Sequence, residues 1–405
     1  MLLGLVDVLQ PILSLPLSTT YKVNEHSSDL LLTHPHRCRG SEWRLGFQKR
    51  GSWPRDIPRA PPLCSDVEAH QQLAWWLTER KARPSACTSS EHLEILRDAD
   101  FASHAALQHN VEKKHHVFVN VGANKGYLAA TLLALWSPWL GINPTSCHKS
   151  LMQLIPNENP ESSNVCGVCQ DCHDLILLPR NMTHDDILRL SSFVSASVFA
   201  VEPQQSNYAL LQSLASQWSD LSSVSPIIPC FVALADFEDT IQIEERGPGD
   251  EGASIGNENV GNKPKTTVHV TKLDYLVQSD LDPSLSFVID FISIDAEGYD
   301  PAILDGALET LPFTRALAFE YGTWIMSGNE RLRRRSRSLG EVVDKLDSHG
   351  FSCYLEWPSA LIRLSGCWMP EYETHSWSNV LCVSRRDKLW DRALAAHSTH
   401  WQMAA

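Results

Sequence analysis

A chain of 405 residues that is 43% hydrophobic and 20% charged can bury a full core and reads as a soluble globular protein, which excludes a disordered or membrane-embedded one. Its formal charge of −14 opposes nonspecific attraction to phosphate backbones, so no nucleic-acid partner is expected. The 11 cysteines, an odd number scattered along the length, read as reduced thiols with room for a metal site rather than as a disulfide framework.

The stretch 2–17 is apolar but lacks a basic leader, contains Asp7 and Pro11, and is short for a membrane span. No clear span is therefore expected, and a cytoplasmic or organellar location is favoured. Two basic stretches, 37–59 and 331–337, read as solvated surface. Residues 1–100 form an N-terminal extension, partly irregular and rich in Pro, Arg and Trp, with a short helix around 67–79.

From residue 117 the text changes to strand (117–121), glycine turn and helix (127–136). A strand over 197–201, a helix over 207–218 and a strand over 227–234 follow. The polar segment 247–265 separates two hairpin strands, 240–244 and 266–271. The nearly unbroken apolar run 287–294 predicts a central strand buried on both faces. A helix over 301–311 with Pro301 in its first turn, a strand over 316–321 and a helix over 339–349 ending at Gly350 come next. Strands over 351–357 and 379–384 complete the main domain, 101–390, and 391–405 is a tail.

The alternation predicts an α/β fold: a doubly wound, mostly parallel sheet of Rossmann-like type. The segment 138–195 breaks the alternation and reads as a Cys-rich insertion.

The chemistry concentrates at three strand ends. In VFVNVGANKGYL (117–128), Gly122 permits a tight turn with close ligand approach, and Gly126 lets the following helix start near the sheet. In VFAVEPQ, Glu202 stands where a carboxylate can accept both hydroxyls of a ribose; a helix-start charge is the plainer reading of such a residue. In FISIDAEGYDPAILDGA (291–307), Asp295 and Glu297 sit at the carboxyl edge of the central strand, where open α/β sheets bind ligands.

These motifs, with CFVALADFEDTIQI, GASI and VTKLDYL between them, resemble the FkbM-type family of S-adenosylmethionine-dependent methyltransferases. The resemblance runs in order over 117–321, insertion apart, and implies a class I methyltransferase fold. It implies that Gly122, Ala123, Asn124 and Gly126 wrap the methionine part of S-adenosylmethionine, that Glu202 holds the ribose and that Asp236 contacts the adenine. It further implies that Asp295 and Glu297 border the place where methyl donor and acceptor meet. Related sequences usually carry Asp where this chain has Asn120; the amide forfeits a charge-assisted contact, on the order of 1 kcal/mol.

Methyl transfer is an in-line displacement, so the protein has to align an acceptor lone pair and take its proton. Asp295 and Glu297 are the candidate bases, with helix-start charge as the second reading of Glu297. In the insertion, Cys166, Cys169 and Cys172, next to His173 and downstream of Cys147 and His148, have spacing suited to a structural zinc. An iron–sulfur cluster and plain free thiols remain alternatives.

Residues 256–263 begin like a phosphate loop, but Asn262 breaks the pattern. His115 and His116 read as surface residues.

The favoured expectation is an enzyme that methylates an oxygen of a small molecule or sugar; the oxygen rests on the resemblance alone. A second is a binding or regulatory protein of the same fold, weakened by Asn120, with a metal-stapled insertion. A third, an NAD-linked oxidoreductase, leaves the 291–307 motif unexplained.

Overall fold

The computed structural model describes residues 38, 53–54, 56–82, 90–105, 114–144, 184–192, 194–219, 226–245, 247–248, 264–280, 288–322, 337–357, 360–373 and 378–398. Helices α1 (Asp66–Ala82) and α2 (Ser90–Ala105) precede strand β1 (Lys114–Val121). Then come α3 (Tyr127–Trp136), α4 (His184–Ser191), β2 (Val194–Val201), α5 (Gln205–Trp218) and β3 (Ile227–Cys230). Next are β4 (Ala233–Leu234), β5 (Asp239–Glu244), β6 (Lys265–Thr271), α6 (Leu273–Asp280), β7 (Ile289–Ile294), α7 (Asp300–Asp305) and β8 (Thr314–Tyr321). The last are α8 (Leu339–Ser348), β9 (Phe351–Trp357), β10 (Ala360–Arg363), β11 (Ser378–Ser384) and α9 (Lys388–Ser398).

The main sheet runs β10-β9-β11-β8-β7-β1-β2-β3, and a small sheet runs β4-β6-β5. Strands β3, β2, β1, β7 and β8 are parallel, while β11 is antiparallel to both β8 and β9. The fold is thus an α/β, doubly wound, mostly parallel sheet of Rossmann-like type. Alternate residues of each inner strand feed two separate cores, as the pleat requires. Val117, Val119 and Val121 enter the one filled by Trp76, Leu273, Ile303 and Val342. Phe118 enters the other, with Leu132, Trp136, Leu211, Trp390 and Leu394. Because both faces are covered, the inner strands read as apolar runs.

The chain steps outward from β1 through β2 to β3, then returns to β7 on the other side of β1. That reversal makes a topological switch point at the carboxyl ends of β1 and β7, where such sheets open a ligand crevice.

Several elements differ from expectation for identifiable reasons. The run 227–234 divides: β3 pairs with β2 at the sheet edge, where Pro229 is tolerated, and β4 joins the hairpin sheet beside β6. The helix expected over 301–311 ends at Asp305, where the Gly306 N–H bonds back to Ala302 and Ile303, and a 3-10 turn follows at Leu311–Phe313. Helix α2 carries buried Arg97 and Asp100 on its inner face, which breaks its apolar period and hid it within the extension. Helix α9 continues past 391, burying Trp390 and Leu394.

The cysteines require a correction. Cys38 pairs with Cys230, Cys64 with Cys367 and Cys353 with Cys382, so every described cysteine is in a disulfide rather than a reduced thiol. Their separations of 192, 303 and 29 residues leave no local spacing from which pairing could be read. Cys147, Cys166, Cys169 and Cys172, with His148 and His173, lie outside the described residues, as do 1–35 and most of the two basic stretches. No helix among the described residues is long and apolar enough to cross a membrane.

Candidate functional site

The glycine turn leaves β1 at Val121, and the N–H groups of Gly122 and Ala123 both donate to the Val201 carbonyl at 3.0 Å. Gly122 has φ 72°, and a Cβ placed there would stand 1.8 Å from the carbonyl oxygen of Asp295. Glycine is obligatory here because the edges of β1 and β7 touch through this atom. Asn124 also takes a left-handed conformation, φ 49°, of the kind Asn tolerates better than most residues.

Glu202 follows β2 and is 4% exposed. Its Oε2 accepts the Asn124 N–H at 2.7 Å and its Oε1 accepts the Gln204 N–H at 2.8 Å. Its own N–H donates to the Cys230 carbonyl at 3.0 Å. Burial pushes the carboxyl up to about 7, against the pull of the two backbone donors. This is more than a helix-start charge, since the carboxylate ties the glycine turn to the end of the neighbouring strand. Asn120, 2% exposed, lies two residues before Gly122, in register with Ala200 and Ser293.

At the end of β7, the Asp295 N–H donates to the Val121 carbonyl at 3.0 Å, and the residue itself is exposed. Glu297 is half-buried in a left-handed conformation, φ 51°. Asp300 is fully buried and accepts the Gly298 N–H at 3.3 Å and the Glu320 N–H at 3.1 Å. Burial first, then the Asp295 charge, pushes its carboxyl well above the usual range.

Glu320 completes this group and was not among the residues singled out from sequence. The β7–β8 register pairs Ile294 with Phe319, so the next step sets Asp295 beside Glu320 at the carboxyl edge. Glu320 is 4% exposed; burial, then Asp295 and Asp300, drive its carboxyl far upward, and its side chain hydrogen-bonds Asp295. The available signal was one charge inside the otherwise apolar run 316–321.

Asp236 is half-buried just after β4, with its Cα 3.3 Å from where a Cβ on Gly306 would lie. The structure thus joins the glycine turn, Glu202 and Asp295 through direct backbone bonds, and places Asp236 against the end of α7.

His115 and His116 are not surface residues: they are 4% and 0% exposed, because β1 begins three residues earlier than expected and runs through the sheet. At these amino ends of the strands, away from the glycine turn, His116 Nδ1 lies 3.1 Å from Asp290. Arg315 donates to Asp290 at 2.7 Å, to Asp100 at 2.8 and 3.1 Å and to Asp387 at 2.5 Å, and lies 3.7 Å over the Trp390 ring. Against the cost of burial, Arg315 and its basic neighbours hold Asp100 well below the carboxylate range. Asp100, His116 and Asp290 have ligand atoms within 4.8 Å of one another, but the guanidinium already supplies the cation, so the cluster reads as structural.

No family model and no curated protein sequence matches this chain. Among solved structures it is similar to the crystal structure of methyltransferase FkbM from Methylobacillus flagellatus KT, at 12% identity and a TM-score of 0.36. The alignment covers 79% of this chain and 56% of that one, so the chain spans little more than half the length of its structural neighbour. Likeness at this level says nothing about chemistry, which rests on the geometry above.

Proposed function

We propose that the chain is an S-adenosylmethionine-dependent methyltransferase that methylates a hydroxyl oxygen of a small molecule or sugar. The observation that carries this reading is the bond from the Asn124 N–H to Glu202 beside the Gly122–Asp295 contact, at the switch point of a doubly wound sheet. The hydroxyl preference comes from the family resemblance.

The residues suit such a donor. Gly122 and Gly126 present backbone without a side chain, and Glu202, buried and fixed by two N–H donors, can accept a pair of ribose hydroxyls with its remaining lone pairs. Asp236 is assigned to the adenine and Asn120 to the methionine end. Bound S-adenosylmethionine supplies a methyl group activated on sulfonium sulfur. The chain's own work is to align the acceptor and remove its proton, for which exposed Asp295, with Glu297 near it, is the base.

Asn120 favours a second reading, in which the donor binds but turnover is weak. An NAD-linked oxidoreductase fits less well, because β11 is a reversed strand between β8 and β9, unlike the order 3-2-1-4-5-6 of dinucleotide folds. Three disulfides fit residence in an oxidising compartment better than the cytoplasm first expected.

Calorimetry with S-adenosylmethionine, its demethylated product and NAD tests the reading. The first two should bind; binding of NAD alone would overturn it. Glu202→Ala should weaken the donor at least tenfold, roughly the loss of a charged hydrogen-bond acceptor.

A further inference from the structure

Four carboxyl groups meet at the carboxyl edge of β7 and β8, and their environments differ sharply. Asp295 is exposed and Glu297 half-buried, whereas Glu320 and Asp300 are 4% and 0% exposed. Asp300 accepts one backbone N–H on each oxygen, from Gly298 and from Glu320. Glu320 faces Asp295, Asp300 and Glu297 from the β7 side, while its partner across β11 is the uncharged Asn379. Adjacent carboxyl groups cannot all ionise out of water, so the buried Glu320 and Asp300 hold their protons before the exposed Asp295 does.

We propose that Glu320 is a positioning residue for Asp295: it keeps its proton, donates it in a hydrogen bond to one Asp295 oxygen, and leaves the other oxygen facing the acceptor. The strong upward drive on Glu320 agrees with this assignment. The proposal rests on the methyltransferase reading for its purpose. With a sulfonium methyl donor bound, Asp295 would take the hydroxyl proton as the acceptor oxygen gained the methyl, the methyl–sulfur bond broke and the sulfonium was left as a neutral thioether. With Glu320 neutral, Asp295 has one fewer negative neighbour and stays ionised and fixed until that moment.

The pair can be examined without any acceptor, by infrared spectroscopy of the full chain at neutral pH. Over and above the bands that Asp300 and Glu202 keep, the wild type should show one further carbonyl stretch of a neutral carboxyl group that vanishes in Glu320→Gln, an isosteric change that keeps a donor toward Asp295. The same band should move in Asp295→Asn, which alters its hydrogen-bond acceptor, and stay in place in Glu297→Gln. A difference spectrum, wild type minus Glu320→Gln, with no such band, or a band that ignores Asp295→Asn, overturns the proposal. Should Glu320→Gln not fold, the response to Asp295→Asn still decides. Donor calorimetry decides the methyltransferase reading separately, so the two can fail independently.

Discussion

The backbone N–H of Asn124 reaches Oε2 of Glu202 at 2.7 Å, binding the glycine turn to the neighbouring strand through a buried carboxylate. This one bond makes the protonation state of Glu202 a determinant of the turn and, on the proposed function, of donor binding. An ionised carboxylate accepts only, as two ribose hydroxyls require. Burial raises the group to about 7, so a proton has to leave before the donor binds in more acidic solution. Donor affinity should therefore fall about tenfold per pH unit below that value. Without ligand the sign is opposite: the Glu202 contribution to stability is complete below 4.5 and is lost as pH rises through about 7. Calorimetry over this range checks the first statement, and a pH-independent affinity would remove Glu202 from the site.

Gly122→Ala should be the most damaging small change in the turn. Its added Cβ falls 1.8 Å from the Asp295 carbonyl oxygen, in a left-handed conformation. Backbone strain alone costs about 1–3 kcal/mol, before any parting of the β1 and β7 edges. Gly126→Ala carries the same kind of backbone strain, φ 87°, but its added Cβ meets only the methyl groups of Leu211 and Leu214, at 2.9 and 3.0 Å, which can shift. Urea midpoints should rank wild type above Gly126→Ala above Gly122→Ala; the reverse order would show that the close contact is not a constraint.

Acid should destabilise the sheet through His115. Burial first, then His116, lowers it from 6.5 to about 4. Its folded-state value is depressed, so the unfolded chain binds more protons between these limits. The contribution is complete above 6.5 and lost as pH falls through about 4, on the order of 3 kcal/mol in all. Denaturant midpoints measured across this window should slope less in His115→Gln than in wild type; equal slopes would clear His115 of the effect.

Reduction should weaken the fold strongly. Each bridge closes a long loop, 29 residues in the shortest case, and such constraints are worth about 3–5 kcal/mol apiece. Thermal unfolding should shift to lower temperature with reductant, and peptide mapping should recover Cys38–Cys230, Cys64–Cys367 and Cys353–Cys382. Titration of 11 free thiols in the unfolded, unreduced chain would refute the pairing.

Local pattern was enough wherever neighbours in sequence do the work. The apolar run into Gly122, the helix over 127–136, the central strand ending at Asp295 and the strand-end Glu202 all announce themselves through composition and period. The ion network was illegible because Asp100, Asp290, Arg315 and Asp387 come from three separate elements and the turn before α9, and charge in a strand ordinarily signals solvent. For the same reason His115 and His116 were read outward although the sheet closes over them.

The sequence by itself determined most of the strands and helices between β1 and β9 and which strand ends carry glycine or carboxylate, since these follow from side-chain period and backbone freedom. Only the tertiary structure decided that Glu320 stands beside Asp295, that the cysteines pair, and that Glu202 grips the turn. Those relationships depend on strand register and on contacts across as many as 303 residues, and no local pattern encodes which distant partners burial brings together.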